Sequence, residues 1–138
     1  MQRTKLTLTS LLLLAVLLFS FSACPATDPW ADAAYTEDAT LGEGATTFTF
    51  EVVCGENKVT FTVNTDEEIL GDALIDLGLI AGDEGPYGLY VKRVNGILAD
   101  YDVDGHFWAL YVKGKAAMVG VDGTPVEGGA VYRLAREK

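Results

Sequence analysis

The sequence predicts an α+β domain, a small β-rich sheet of five or six strands with one covering helix. Three observations carry this reading. Thr46 to Val53 and Lys58 to Asn64 alternate apolar and polar side chains, the period of a half-buried strand. Ile69, Leu70, Ala73, Leu74 and Leu77 recur at three- and four-residue spacing, a single helical stripe. Phe107 to Gly120 joins two apolar runs through Lys113-Gly114-Lys115, a hairpin pattern in which the glycine tolerates positive φ.

Taken in chain order, Phe48, Phe50 and Val52 are expected on one face of the first strand, with Cys54 sharing their parity near its end. Gly55-Glu56-Asn57 closes a hairpin onto Val59, Phe61 and Val63. Thr65-Asp66-Glu67-Glu68 has the form of a capping box, its acids at the positive end of the helix dipole, and Gly78 is the expected stop. Ala81 to Tyr87 is rich in residues that break helix and strand, and reads as a loop. Leu89 to Val94 is a strand ended by the turn signal Asn95-Gly96, and Ile97 to Asp104 is an acidic excursion. The central hairpin follows, with Phe107 to Val112 leading and Ala116 to Val119 returning. Gly88 to Val94 and Ala130 to Arg136 are its expected sheet partners, the latter reached through the long turn Asp122 to Gly129.

At 138 residues the chain has room for one domain, a targeting segment and a linker. The net charge of −10 becomes −12 once Arg3 and Lys5, which share their segment with no acid, are set aside. That sign argues against nucleic acid, whose phosphates must be neutralised by Lys and Arg, and against anionic lipid. Arg3 and Lys5, the short apolar run Leu11 to Phe21, and Ser22-Ala23 before Cys24 resemble a bacterial lipoprotein signal, with Phe21 standing where Leu is usual. The resemblance implies removal of residues 1–23, lipidation of Cys24 and an extracytoplasmic location at a cell membrane. An ordinary secretory signal is the alternative. Residues 24–45, acidic and without periodicity, are expected as a flexible tether, and residues 46–138 as the domain.

Val94-Asn95-Gly96-Ile97, Phe107-Trp-Ala-Leu-Tyr-Val-Lys-Gly114, Met118-Val-Gly-Val121 and Val126-Glu-Gly-Gly129 form an ordered set that resembles the bacterial family of transcobalamin-like C-terminal domains. It covers Thr46 to Ala135 and implies a β-grasp-like fold. Lys113 stands where the family usually has Asn before the turn glycine, and Gly129 where it usually has Asp in an Asp-Gly-Asp turn. In vitamin B12 carriers the similar domain caps a corrinoid already held by a helical domain, so the resemblance implies a planar, cobalamin-like ligand. No such helical domain is evident in this sequence. The alternative is a surface module that binds another protein or an envelope polymer, with no small-molecule ligand.

Catalysis is poorly supplied, and no enzyme is expected. Ser10, Ser20 and Ser22 all lie in the signal-like segment, and beyond Cys24 there remain one Cys, Cys54, and one His, His106. Asp100, Asp102 and Asp104, followed by Gly105, match the first half of a calcium loop, with Tyr111 where the bidentate Glu belongs. A weak calcium site is one reading of them, a solvated acidic turn the other. Strand parity sends Trp108, Leu110 and Val112 to one face, the better core candidate, and Phe107, Ala109 and Tyr111 to the other. Phe107 and Tyr111, with Tyr87 and Tyr101 from neighbouring loops, are therefore the candidate surface for a flat ligand.

Overall fold

The computed structural model describes residues 28–138; the signal-like segment and Cys24 lie outside them. The fold is α+β, with two sheets and one main helix. β1 (Ala39–Leu41), β2 (Thr46–Cys54), β3 (Asn57–Thr65), β7 (Phe107–Val112), β8 (Lys115–Ala116) and β9 (Val131–Glu137) form a sheet in the order β1-β3-β2-β9-β7-β8. β4 (Ile80–Gly85), β5 (Gly88–Val94) and β6 (Ile97–Leu98) form the second. Helix α1 is Leu70–Asp76, and α2 is the short turn Tyr101–Asp104.

β2 and β3 pair antiparallel along their full lengths, from Thr46↔Thr65 to Cys54↔Asn57. Their alternation puts Phe48, Phe50, Val52, Val59, Phe61 and Val63 inside, as expected. β9 lies parallel to β2 and adds Tyr132 and Leu134 to the same layer, and α1 closes it with Leu70, Ala73 and Leu74. Phe48 meets Tyr132 edge-on at 5.2 Å and Phe50 stacks on Phe61 at 6.1 Å. The Tyr132 hydroxyl is satisfied inside this core: it donates to Pro125 O at 2.8 Å and accepts from Glu127 N at 2.9 Å.

Several expectations are corrected. The capping box does not form, because Thr65 is still paired in β3 and its Oγ1 accepts from Glu67 N instead. α1 starts after Ile69, which makes no side-chain cap. The Leu70 amide instead donates to Thr124 O at 2.9 Å, and Gly71 permits a close approach in which a Cβ would stand 2.3 Å from Asp122 Oδ1. The stop is as expected. Gly78 at φ +68° donates to Ile75 O, and Leu79 donates to Leu74 O, the paired bonds of a Schellman motif.

The expected loop over residues 81–87 is largely strand β4, held to β5 by main-chain bonds that need no apolar side chains. A bulge at Ala81/Gly82 lets the backbones approach; a Cβ on Gly82 would meet Tyr90 O at 1.9 Å. β5 is paired in this small sheet and packs beside the central hairpin without pairing to it, although β9 pairs with β7 as expected. The return strand of the hairpin is only Lys115–Ala116, because the chain leaves the ladder after one further bond, from the Ala117 amide to Leu110 O.

The tether expectation is corrected for residues 28–45. Asp28 caps a 3-10 turn at Pro29–Asp32, and β1 pairs parallel with β3. Tyr35 packs edge-on against Phe61 at 5.3 Å. Asn95, buried at φ 51°, clamps this segment: its Oδ1 accepts from Tyr35 N at 2.9 Å and its Nδ2 donates to Tyr35 O at 2.8 Å. Asn95 therefore acts twice, as the first half of the Asn95-Gly96 turn and as a partner for a chain segment far away in sequence.

Candidate functional site

The strand-parity expectation for β7 holds for Trp108, which is 7% exposed in the core, with Leu110 and Val112 partly buried against it. Its indole Nε1 donates to Lys92 O at 3.2 Å and so ties β7 to β5. Phe107 and Tyr111 are half-buried on the opposite face. The Tyr111 hydroxyl donates to Glu137 Oε2 at 2.7 Å, and that bond, with desolvation and the carboxylate charge adding to it, holds the phenol above its usual range.

Where the small sheet meets β7 the surface hollows into an apolar groove. One hollow of about 380 Å³ lies along Gly85 to Tyr90 and Gly120. A smaller one of about 140 Å³ adjoins it through Leu89, Tyr90 and Gly120, and is floored by Trp108, Leu110 and Leu134. A third, about 410 Å³, runs along β7 between Phe107 and Val119. Apolar side chains stand at the rim without cover: Tyr87 is 97% exposed and Met118 98%, and Tyr90 and Val119 are exposed beside them. Uncovered apolar surface around a groove is the usual mark of a recognition site.

Of the four expected ligand residues, Tyr87, Phe107 and Tyr111 line these hollows. Tyr101, 61% exposed on α2, lines none of them. Leu89, Tyr90, Val119 and Gly120 are walls the sequence reading missed. A usable signal was present in Met118-Val119-Gly120, apolar residues placed in a turn where solvated ones are usual.

Asp100, Asp102 and Asp104 lie in a helical turn that does not gather their carboxylates. Asp100 accepts from Asp102 N at 3.2 Å and faces Lys92 Nζ at 3.4 Å. Asp104 accepts from His106 N at 2.9 Å and from Arg136 Nη2 at 3.0 Å. Desolvation works to raise the Asp104 carboxyl, but the His106 amide, the Arg136 charge and the Asp100 amide hold it below its usual value. Among the described residues no three His, Cys, Asp or Glu side chains converge as a metal site. Cys54 and His106 do line one polar hollow with Arg136, yet burial pushes the Cys54 thiol up, away from the thiolate a nucleophile needs.

Residues 67–131 match the model of a domain of unknown function, DUF4430. The DUF4430 match takes in α1, both groove walls and the β7–β8 hairpin, and leaves the β2–β3 hairpin outside. A crystal structure of a candidate metal-binding protein from Ruminococcus gnavus is similar at 28% identity and a TM-score of 0.64, covering 68% of this chain and 98% of that one. Haptocorrin in complex with Cbi is similar at 18% identity and a TM-score of 0.52, covering 71% of this chain and 26% of haptocorrin, which shows a shared fold. No curated protein matches the sequence.

Proposed function

We propose that this chain is a lipid-anchored, extracytoplasmic binding module, without catalytic activity of its own, whose groove takes a flat small molecule of the corrinoid class. The observation that carries it is the apolar groove between β5 and β7, floored by Trp108 and Leu110 and rimmed by the uncovered rings of Tyr87 and Tyr90. Two supports stand behind the ligand class: the fold shared with haptocorrin, whose complex contains Cbi, and the motif resemblance to transcobalamin-like domains. The anchor rests on the Ser22-Ala23-Cys24 signal pattern.

A groove open on one side covers one face of such a ligand, so binding is expected to be weak until a partner covers the other. Absorbance titration of the purified chain with several corrinoids tests the ligand class. A saturable spectral shift that is lost in Tyr90→Ala supports it, and a flat response to all of them overturns it. Fractionation of cells making Cys24→Ala tests the anchor separately: release from the membrane supports it, and unchanged retention overturns it. A protein-binding role is favoured by a different observation, the edge of β7 that no strand pairs beside Trp108 among the described residues.

A further inference from the structure

β7 is paired on one side only along most of its length. It meets β9 from Phe107↔Glu137 to Val112↔Tyr132, but β8 only at Tyr111↔Ala116 and Val112↔Lys115. The Lys113 amide donates to Val131 O at 2.8 Å, which sets the phase of the ladder. Odd-numbered residues of β7 turn their N–H and C=O toward β9, and even-numbered Trp108, Leu110 and Val112 turn theirs away. Leu110 O is taken by the Ala117 amide at 2.9 Å. The Trp108 N–H and C=O and the Leu110 N–H remain, and opposite them no strand is paired among the described residues. Beside this edge lies the crevice of about 410 Å³, walled by Phe107, Leu110, Ala117 and Val119, with Glu137 the charged side chain in its lining.

We propose that this edge receives an extended basic polypeptide segment as an added strand. Outward backbone groups at strand spacing form a template that another polypeptide backbone can match in register, and the apolar walls take its alternate side chains. Charge selects which polypeptide. Residues 28–138 carry −12, so a second copy of this chain is repelled whereas a Lys- or Arg-flanked segment is drawn in toward the Glu137 end. The inference does not rest on the corrinoid reading, because it is argued from backbone groups of β7, although the two sites share Phe107, Trp108, Leu110 and Gly120 in their lining.

Three blocked heptapeptides test it on the purified full chain: Lys-Val-Thr-Val-Thr-Val-Lys, the same core with Glu at both ends, and the Lys form N-methylated at every residue so that neither of its edges can pair. The unmethylated Lys peptide is expected to bind about tenfold tighter than either control and to slow hydrogen exchange at the Trp108 and Leu110 amides. Equal binding of the methylated form, which keeps the charge, would mean attraction without strand addition and overturns the proposal. So does failure of all three to bind. Concentration-dependent dimerisation that protects the same amides without peptide would assign the edge to a second copy instead. Corrinoid titrations run beside these separate the two readings, since either can fail while the other stands.

Discussion

The molecule contains two hairpins of opposite character. β2–β3 turns at Gly55-Glu56 and pairs along nine-residue strands whose inner faces disappear into the core. β7–β8 turns at Lys113-Gly114 and abandons its ladder after the 2 residues of β8. The first is covered on one edge by β1 and on the other by β9; the second leaves an edge and an apolar crevice open. One sequence thus separates two tasks. Long alternating strands supply stability, and a strand that stops early exposes backbone and apolar surface for recognition.

The largest way to break the first region is Phe61→Ala, which empties a position at 0% exposure against Phe50 and Tyr35. It should cost about 3–5 kcal/mol in a denaturant melt, and Trp108→Ala a similar amount, whereas half-buried Phe107→Ala should cost about 1 kcal/mol or less. A Phe107 loss as large as that of Trp108 would show that the open region is as sealed as the closed one. Next in size is Tyr132→Phe, which strands Glu127 N and Pro125 O and should cost about 1–3 kcal/mol.

Acid sharpens the comparison further. Glu51, on the outer face of β2, is held below its usual pKa by the hydrogen bond from Lys58 at 2.5 Å; desolvation opposes this, and the charges of Lys58 and Arg133 reinforce it. A carboxyl lowered in the folded state contributes stability that is present above its unfolded pKa of about 4.3 and lost as pH falls through its folded value. Thermal melts between about pH 6 and pH 2 should fall along that limb, and Glu51→Gln should flatten it. An acid limb unchanged by the substitution would assign the loss to other carboxyls, Asp104 first.

The smallest effect should be a gain. Lys113 sits at φ 53°, in left-handed territory that suits Asn better, and its ion pair with Glu127 is exposed. Lys113→Asn is expected to raise stability by about 0.5–1 kcal/mol, since little is lost with a solvated pair. A drop instead would show that the pair outweighs the backbone strain.

The parts of this fold legible in the sequence are those whose signal is local. Phe48, Phe50 and Val52, like Val59, Phe61 and Val63, announce their face by period two, and Leu70, Ala73 and Leu74 by the helical stripe. The Asn95-Gly96 turn was readable because few pairs adopt φ of 51° and 80°. β4 was not legible, since Gly82-Asp83-Glu84-Gly85 pairs through backbone alone and its side chains say nothing. Nor was the placement of β5, because which sheet a strand joins depends on long-range pairing. Thr65 shows the same competition in miniature: its capping pattern is real, but one more rung of the β2–β3 ladder took the residue first. Half of the candidate groove, Tyr87, Phe107 and Tyr111, followed from aromatics and parity. The other half, Tyr90 and Gly120, depends on how the small sheet docks.

The Asn95 clamp on Tyr35 also sets how the domain bears a mechanical load. A pull transmitted through Asp28 reaches the sheet by way of the Tyr35–Asn95 bonds and then β1, which runs parallel to β3. Along that strand axis the β1–β3 bonds are sheared together, whereas tension directed away from the sheet opens them one at a time. Only β1 would peel at first, leaving the register of β2, β3 and β9 intact. With three pairs to β3 against the nine that join β2 and β3, the N-terminal segment is the part of the sheet expected to detach first under tension applied at Asp28.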